Sequence, residues 1–463
     1  MADFITGAPP VTSQVAVAFP KDFWWGGATS AFQVEGSPRA DGASENIWER
    51  FCREPGRILH GDNADIACDH YRRYPEDIAL MRDLGLTAYR FSIAWARVIP
   101  QGRGRVNQKG LDFYRRLVDG LREAGIEPFA TLYHWDLPTV LQDQGGWLSS
   151  DAPQWFAEYA SAVFRALDGP VQFWMTINEP WVVVDSGYLH GVHAPGHHSP
   201  GEAARVAHHL LMAHAAAVEV YRREGRHQIG LVVNLEPKYP ATETPADQSA
   251  ARRAHAYMNR WFLDPLFLGR YPSTLPTLFG DAWPAFPAED LARIQNPGDF
   301  LGINYYGCGR MRDAPGTLPP QADYAKPRDR AYTAMDWEIF PQGLTDTLLW
   351  VKQRYGDIPI HITENGAAFE EPDQVTGTLD DTARIAYLRA HLRALHTALL
   401  QGVDVRGYFA WSLLDNFEWS LGFSKRFGLI HVDRHHQSRT PKASADYLRQ
   451  VIASEGSILG QDL

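Results

Sequence analysis

Two glutamates lie at or directly after the ends of short apolar stretches, where burial of an acidic side chain would need an explanation. Glu364 closes the stretch 360–364 and precedes the turn pair Asn365-Gly366, and Glu179 directly follows the stretch 173–178. A carboxylate on an apolar strand is costly to bury unless it is paired. Taken alone, Glu364 is explained equally well as a salt-bridged strand end and as a nucleophile held at the rim of a pocket.

A pair of carboxyl groups is what cleavage of a glycosidic bond requires. One group protonates the leaving oxygen, and the other attacks the anomeric carbon or activates a water. Arg90 and Tyr306 are candidate partners that would keep Glu364 ionised, as a nucleophile requires. Glu179 lies in apolar company, where burial and the nearby negative Glu364 would raise its pKa, as a general acid requires. The alternative is that both carboxylates belong to buried ion pairs.

A bound sugar also needs hydroxyl partners and flat apolar faces. The chain is 12% aromatic and contains 15 Trp, and aromatic rings suit the C–H faces of sugars. Candidate partners for hydroxyl groups are Gln33, His134, Asn178 and Glu418, and candidate stacking faces are Trp411 and Trp419. Gln33 or His134 taken singly is equally well explained as a satisfied polar residue of the core.

Alternating apolar strands and amphipathic helices are the elements that would position these side chains. The strand candidates are 23–27, 88–93, 128–133, 173–178, 229–235, 300–305, 359–364 and 406–411. Helical patterns follow at 76–85, 110–125, 203–224 and 381–400. Repeated β-α units of this size predict an α/β fold, a single-domain (β/α)8 TIM barrel with elaborated βα loops.

The placement of the polar residues fits the barrel, because chemistry in that fold lies at the C-terminal ends of the strands. Strand ends carry His134-Trp135, Asn178-Glu179, Asn304-Tyr305-Tyr306, Glu364 and Trp411. We expect the barrel domain to span 18–463 and residues 1–17 to form a flexible tail. The segment 307–335 is rich in Pro, Gly and Asp, and we expect a long loop there, overhanging the pocket mouth.

Charge and composition exclude several other functions for this chain of 463 residues. A net charge of −11 argues against nonspecific nucleic-acid binding. Three cysteines cannot form a disulfide framework, and no apolar run reaches the ~18 residues of a membrane span. Because the N-terminal segment also lacks a signal-peptide pattern, we expect a cytoplasmic protein. No cofactor or metal is expected, and a homo-oligomer is left open.

At this point the chain resembles the family 1 glycoside hydrolases of the β-glucosidase type, from about residue 19 to 452. The motifs that carry the resemblance are FWWGGATSAFQVEG (23–36), ACDHY (67–71), YRFSI (89–93), TLYHWDLP (131–138), TINEP (176–180), GINYY (302–306), TENG (363–366) and WSLLDNFEW (411–419). The resemblance implies that Glu179 is the acid/base and Glu364 the nucleophile of a retaining mechanism, with carboxyl groups about 5–5.5 Å apart.

The resemblance also implies roles for the surrounding residues. Tyr306 and Arg90 would support the nucleophile, and Asn304 and Trp337 would lie toward the leaving group. The expected substrate-binding set is Gln33, His134, Trp135, Asn178, Asn304, Tyr306, Trp337, Trp411, Glu418, Trp419 and Phe427. Relatives that cleave 6-phosphosugars replace the residues at the positions of Glu418 and Phe427 with Ser and Tyr, so an unphosphorylated sugar is expected, with the charge of Glu418 repelling a phosphate.

The resulting hypothesis is a retaining exo-β-glucosidase. Its expected substrates are cellobiose, short cello-oligosaccharides and aryl or alkyl β-glucosides, with side activity on β-galactosides and β-fucosides. A transglycosylase would use the same residues, so the sequence does not separate it from a hydrolase. A non-catalytic sugar-binding barrel is the rival of another class, and the presence of both Glu179 and Glu364 argues against it.

Overall fold

The computed structural model describes residues 17–372 and 377–461 and shows a closed barrel of eight parallel strands. The barrel strands are β1 (Trp24–Ala28), β2 (Ala88–Ser92), β3 (Glu127–Tyr133), β4 (Phe173–Asn178), β5 (Gln228–Asn234), β6 (Phe300–Asn304), β7 (Ile360–Asn365) and β8 (Val405–Trp411). They pair in chain order, and β8 closes the barrel against β1. The predicted fold is confirmed, and every predicted strand end lies within one residue of the observed one.

Helices cover the outside of the barrel between successive strands. The longer ones are α1 (His70–Asp83), α2 (Gln108–Glu123), α3 (Ala152–Leu167), α4 (Pro200–Glu224), α5 (Pro245–His255), α6 (Pro341–Tyr355), α7 (Thr382–Leu400) and α8 (Ala443–Ala453). The predicted start of α1 at 76 is wrong, because the helix continues through Pro75. A proline inside a helix removes one backbone hydrogen bond, and α1 forms despite that loss.

Shorter elements decorate the ends of the strands. The short helices are Ala31–Val34, Ile47–Cys52, Trp95–Val98, Thr139–Gln142, Pro180–Val184, Leu263–Leu268, Thr274–Phe279 and Ala288–Ile294. The segment expected as a long loop at 307–335 contains two antiparallel strands, Gly309–Asp313 and Ala322–Ala325, and the first pairs with Lys238–Pro240. A second small sheet pairs Ile430–Val432 with Arg439–Pro441. Hydrogen bonding within the segment 307–335 therefore gives it regular structure.

The barrel interior is filled by aromatic side chains, as the eight-stranded geometry requires. Phe129 and Phe173 stack with their ring centroids 4.2 Å apart, and Phe409 and Phe300 pack against them. His361 of β7 lies among these rings. This packed floor closes the barrel below the strand ends that carry the polar residues.

Two further expectations concern the N-terminal tail and membrane-spanning segments. Residues 1–16 of the expected tail lie outside the described residues, whereas Val17 packs into the core. Within 17–372 and 377–461, no helix combines the length and apolar character needed to cross a bilayer.

Candidate active site

A cavity of about 580 Å³ opens at the C-terminal ends of the barrel strands. Twelve of the residues expected at the site contribute to its lining, namely His134, Trp135, Asn178, Glu179, Asn304, Tyr306, Trp337, Glu364, Trp411, Glu418, Trp419 and Phe427. These side chains come from five different strands or the segments that follow them. The barrel therefore brings together residues that are far apart in the sequence.

Glu364, the second-to-last residue of β7, is held by two donors. Arg90 Nη1 donates to Oε1 over 2.5 Å, and the Tyr306 hydroxyl donates to Oε2 over 2.5 Å. Glu364 is 3% exposed. Burial raises the pKa of Glu364, and the Arg90 guanidinium and the Tyr306 hydroxyl oppose that rise. One cation and one hydroxyl thus orient both carboxylate oxygens and favour the ionised form.

Glu179 directly follows β4 and has a different environment. Among the described residues, Asn304 Nδ2 donates to its Oε1 over 2.6 Å. Burial, and next the negative charge of Glu364, raise the pKa of Glu179 to about 8. The two environments therefore favour different protonation states, a protonated Glu179 and an ionised Glu364.

The backbone at the cavity has four non-glycine residues in an unusual conformation. Trp135, Glu179, Asp336 and Trp419 have φ values of 82°, 45°, 61° and 51°, a left-handed conformation that is uncommon for residues other than glycine. Such conformations persist where surrounding structure enforces them and cluster at functional sites. At Glu179 the left-handed turn ends β4 and starts the helix Pro180–Val184, so the carboxyl group stands at the junction.

Irregular strand pairing precedes both glutamates. The register of β7 against β6 shifts between Ile362 and Glu364, and that of β4 against β5 shifts between Met175 and Asn178. Bulges of this kind change the direction of a side chain and are frequent next to active sites. Simple alternation along each strand therefore does not give the orientation of the final residues.

Asn178 connects the two carboxyl groups to the rest of the site. Its Oδ1 accepts from Arg90 Nη2 over 2.7 Å and from Asn304 Nδ2 over 3.1 Å, and its Nδ2 donates to His134 Nε2 over 3.1 Å. These partners determine the orientation of the amide. Burial, and next the charge of Arg90, hold the pKa of His134 well below its usual range, so this ring is neutral.

Aromatic rings form the inner end of the cavity. The ring of His134 is near-parallel to those of Trp411 and Trp419, with centroids 6.0 and 5.9 Å away. Trp135 lies 4.4 Å from Trp419, and the fully buried Trp48 packs 4.5 Å behind Trp419. The wall behind Trp419 is thus closed by packed side chains.

Glu418 is the third carboxyl group at this end of the cavity. Burial, and next the charge of Glu364, raise its pKa to about 8. On another side of the cavity, Tyr306, Trp337 and Phe427 form an aromatic group, with the Tyr306 and Trp337 centroids 5.0 Å apart. The cavity therefore combines acidic groups with flat apolar faces.

Two of the expected residues do not line the cavity. Arg90 is fully buried behind Glu364 and Asn178. Gln33, on the helix Ala31–Val34, donates from Nε2 to the backbone oxygen of Phe417 over 2.8 Å and to Asn416 Oδ1 over 3.1 Å. Direct contact of Gln33 with a sugar stays a prediction.

Sequence reasoning did not single out two residues that the structure brings to the site. The Thr363 hydroxyl donates to Asn304 Oδ1 over 2.6 Å and so orients the amide that contacts Glu179. His193 lines the cavity beside Trp135 and Trp419. Thr363 adjoins Glu364 in sequence, but because of the register shift the sequence does not indicate which way its side chain points. His193 comes from a long segment without a periodic pattern.

Comparison with known proteins was made on both sequence and structure. The model of glycosyl hydrolase family 1 matches residues 15–457. A relative named beta-glucosidase A from Thermotoga maritima is 46% identical over 95% of this chain and 98% of its own length. Beta-glucosidase A from Acetivibrio thermocellus is 43% identical over 95% of this chain and 99% of its own length.

The fold is similar to solved structures of such relatives. A structure titled as beta-glucosidase from Thermotoga maritima in complex with glucoimidazole superposes with a TM-score of 0.92 at 45% identity, covering 95% of this chain and 99% of that chain. A second, in complex with castanospermine, gives the same values.

Proposed function

Since the chain belongs to glycosyl hydrolase family 1, we propose that it is a retaining β-glucosidase that removes terminal non-reducing β-D-glucosyl residues. The observation that carries the proposal is the unequal environment of the two carboxyl groups. Glu364 accepts from a guanidinium and a hydroxyl, whereas Glu179 accepts from one neutral amide. A charged nucleophile and a protonated acid are the two groups that the reaction needs.

The proposed reaction has two steps. In the first, Glu179 donates its proton to the glycosidic oxygen while Glu364 attacks the anomeric carbon, so the leaving alcohol departs and a glycosyl ester forms on Glu364. In the second, Glu179, now ionised, takes a proton from a water that attacks the same carbon and releases the sugar with its configuration retained. Arg90 and Tyr306 stabilise the carboxylate when it leaves again.

The closed inner wall supports attack at a chain end. The Trp411 and Trp419 rings both line the cavity, and the fully buried Trp48 packs behind Trp419. A single glucosyl unit seated there would stack on these rings. Cellobiose, short cello-oligosaccharides and aryl or alkyl β-glucosides are the proposed substrates, with β-galactosides and β-fucosides as slower ones. Transfer to a second sugar in place of water uses the same groups, and product analysis at high substrate concentration measures its share.

The proposal is tested by hydrolysis of 4-nitrophenyl β-glucoside. Glu364→Ala should abolish turnover. Glu179→Ala should lower kcat by about 10²–10⁴-fold, the usual share of general acid–base catalysis, and added azide should restore part of it as a glycosyl azide of retained configuration. The exposed Glu123→Ala is the matched control and should keep wild-type rates. An inert wild type, or an active Glu364→Ala, contradicts the proposal.

A further inference from the structure

Five charged side chains are buried together outside the cavity. The cluster, called here the charge cluster, consists of Glu371, Asp381, Arg384, Asp415 and Lys442. Lys442 Nζ lies 2.6 Å from Glu371 Oε2 and 2.9 Å from Asp415 Oδ1, and its side chain has no exposed surface. Arg384 Nη1 lies 2.5 Å from Asp381 and 2.6 Å from Glu371. None of the five lines the cavity.

Such a cluster is not explained by stability alone. Taking several charges out of water is costly, and well-packed apolar residues often replace a buried ion pair without loss of stability. Buried ionic groups differ from apolar ones in that their hydrogen bonds have direction. The contacts that the charge cluster makes with the backbone therefore indicate what it holds in place.

Those contacts lie at the base of the segment 412–429, called here the site loop, which follows β8 and carries Glu418, Trp419 and Phe427 into the cavity. Asp415 Oδ1, near the start of the loop, accepts from Lys442 Nζ and from the backbone N–H of Gly428 over 2.8 Å. Near its end, Arg384 Nη2 donates to the backbone oxygen of Arg426 over 2.7 Å. The charge cluster thus joins the two ends of the loop.

The fit at the base is close. A Cβ atom on Gly428 would lie 2.2 Å from the backbone nitrogen of Asp415, so the two ends of the site loop are in direct contact. The backbone N–H of Lys442 donates to the Leu429 oxygen over 2.9 Å, which joins the start of α8 to the end of the site loop. Gln33 also holds Asn416 and Phe417 of the site loop.

We propose that Lys442 is a positioning residue: through Asp415 it holds the base of the site loop so that Glu418 and Trp419 keep their places around the sugar. The inference rests on the proposed function, because it requires that Glu418 and Trp419 bind the sugar. Lys442 itself does not touch the substrate, so its influence must pass through the loop.

A double-mutant cycle tests this path. Lys442→Met removes the ammonium group and keeps the length of the side chain. Because contacting networks show coupling of this order, it should lower kcat/KM for 4-nitrophenyl β-glucoside about tenfold. In a Glu418→Gln background the same change should cost clearly less, because the contact through Glu418 is already altered and only the path through Trp419 remains. Lys442→Arg keeps the charge and should restore most of kcat/KM.

Each result decides between a positioning role and a merely structural one. Exposed Lys109→Met is the matched control and should change nothing in either background. Equal losses with and without Glu418→Gln overturn the inference, while activity of the wild type keeps the proposed function. If Lys442→Met fails to fold, Asp415→Asn, which removes the charge that pairs with Lys442, takes its place in the cycle and must show the same coupling.

Discussion

At the scale of single residues, protonation separates Glu179 from Glu364. Both are buried, and burial raises the pKa of each. The difference lies in the partners: the Arg90 guanidinium favours the charged form of Glu364, and the amide of Asn304 is the weaker partner of Glu179. Charge-assisted hydrogen bonds are roughly twice as strong as neutral ones, so Glu364, the proposed nucleophile, is the group that stays ionised.

The decrease of kcat/KM at alkaline pH should reflect deprotonation of Glu179. Its pKa of about 8 means that it can donate a proton below that pH and loses it above. We expect kcat/KM for an alkyl β-glucoside to fall as the pH rises through about 8, because kcat/KM follows the free enzyme. The measurement is kcat/KM at intervals between pH 5 and 10, on the order of half a pH unit apart.

Glu418 titrates in the same range and needs its own control. Glu418→Gln should keep the alkaline limb, whereas Glu179→Gln, assayed with a dinitrophenyl glucoside that needs no acid, should lack it. The reverse outcome would assign the limb to Glu418. Burial raises the pKa of Glu418 to about 8, and repulsion of a phosphosugar by a negatively charged Glu418 stays a prediction. Among the described lining residues Lys326 is the one lysine or arginine, and it pairs with Asp336.

At the scale of elements, the end of β7 is fitted against the end of β8. A Cβ atom on Gly366 would lie 1.8 Å from the backbone oxygen of Trp411. The turn after Glu364 therefore passes directly beside the strand end that carries Trp411. This contact links the position of Glu364 to that of Trp411.

Gly366→Ala should disturb both stability and activity. Overpacking in a rigid site costs about 1–3 kcal/mol, and relief by a backbone shift would move Glu364. We expect a lower thermal midpoint and a kcat reduced more than KM is raised, measured by calorimetry and steady-state kinetics. Gly169→Ala, where a Cβ would meet nothing within 4 Å, is the control and should leave both unchanged. Wild-type kcat in Gly366→Ala would contradict the expectation.

At the scale of the whole molecule, the barrel interior contains one titratable ring in an apolar stack. His361 lies 5.2–5.6 Å from Phe129, Phe173 and Phe300, and neither of its ring nitrogens has a hydrogen-bond partner among the described residues. Burial lowers the pKa of His361 to about 3. Folding therefore requires this ring to be neutral.

This neutral ring should weaken the protein in acid. The pKa of His361 in the fold lies below the ~6.5 of an unfolded chain, so the unfolded state binds the proton first and stability falls as the pH drops below about 6.5. His361→Leu should make the free energy of unfolding less dependent on pH between about 6.5 and 4. Denaturant unfolding at several pH values measures it. The exposed His435→Leu should keep the wild-type slope, and an unchanged slope in His361→Leu would refute the linkage.

Several properties of this protein follow from the sequence by itself. Apolar runs bounded by turns placed the eight strands to within one residue, because a strand buried on both faces is recognisable from its local composition alone. The motifs around Glu179 and Glu364 indicated the family for the same reason, since each lies within one contiguous segment. The start of α1 was missed, because Pro75 is locally unfavourable to a helix and the surrounding packing overrides it.

Other properties were decided only by the tertiary structure. The register shifts before Glu179 and Glu364, the route by which Thr363 reaches Asn304, and the place of Gln33 behind the cavity all depend on neighbouring strands and loops. The charge cluster around Lys442 joins segments separated by tens of residues. Hydrogen bonds, burial and charge act between groups that are close in space, and a sequence pattern records only which groups are close along the chain.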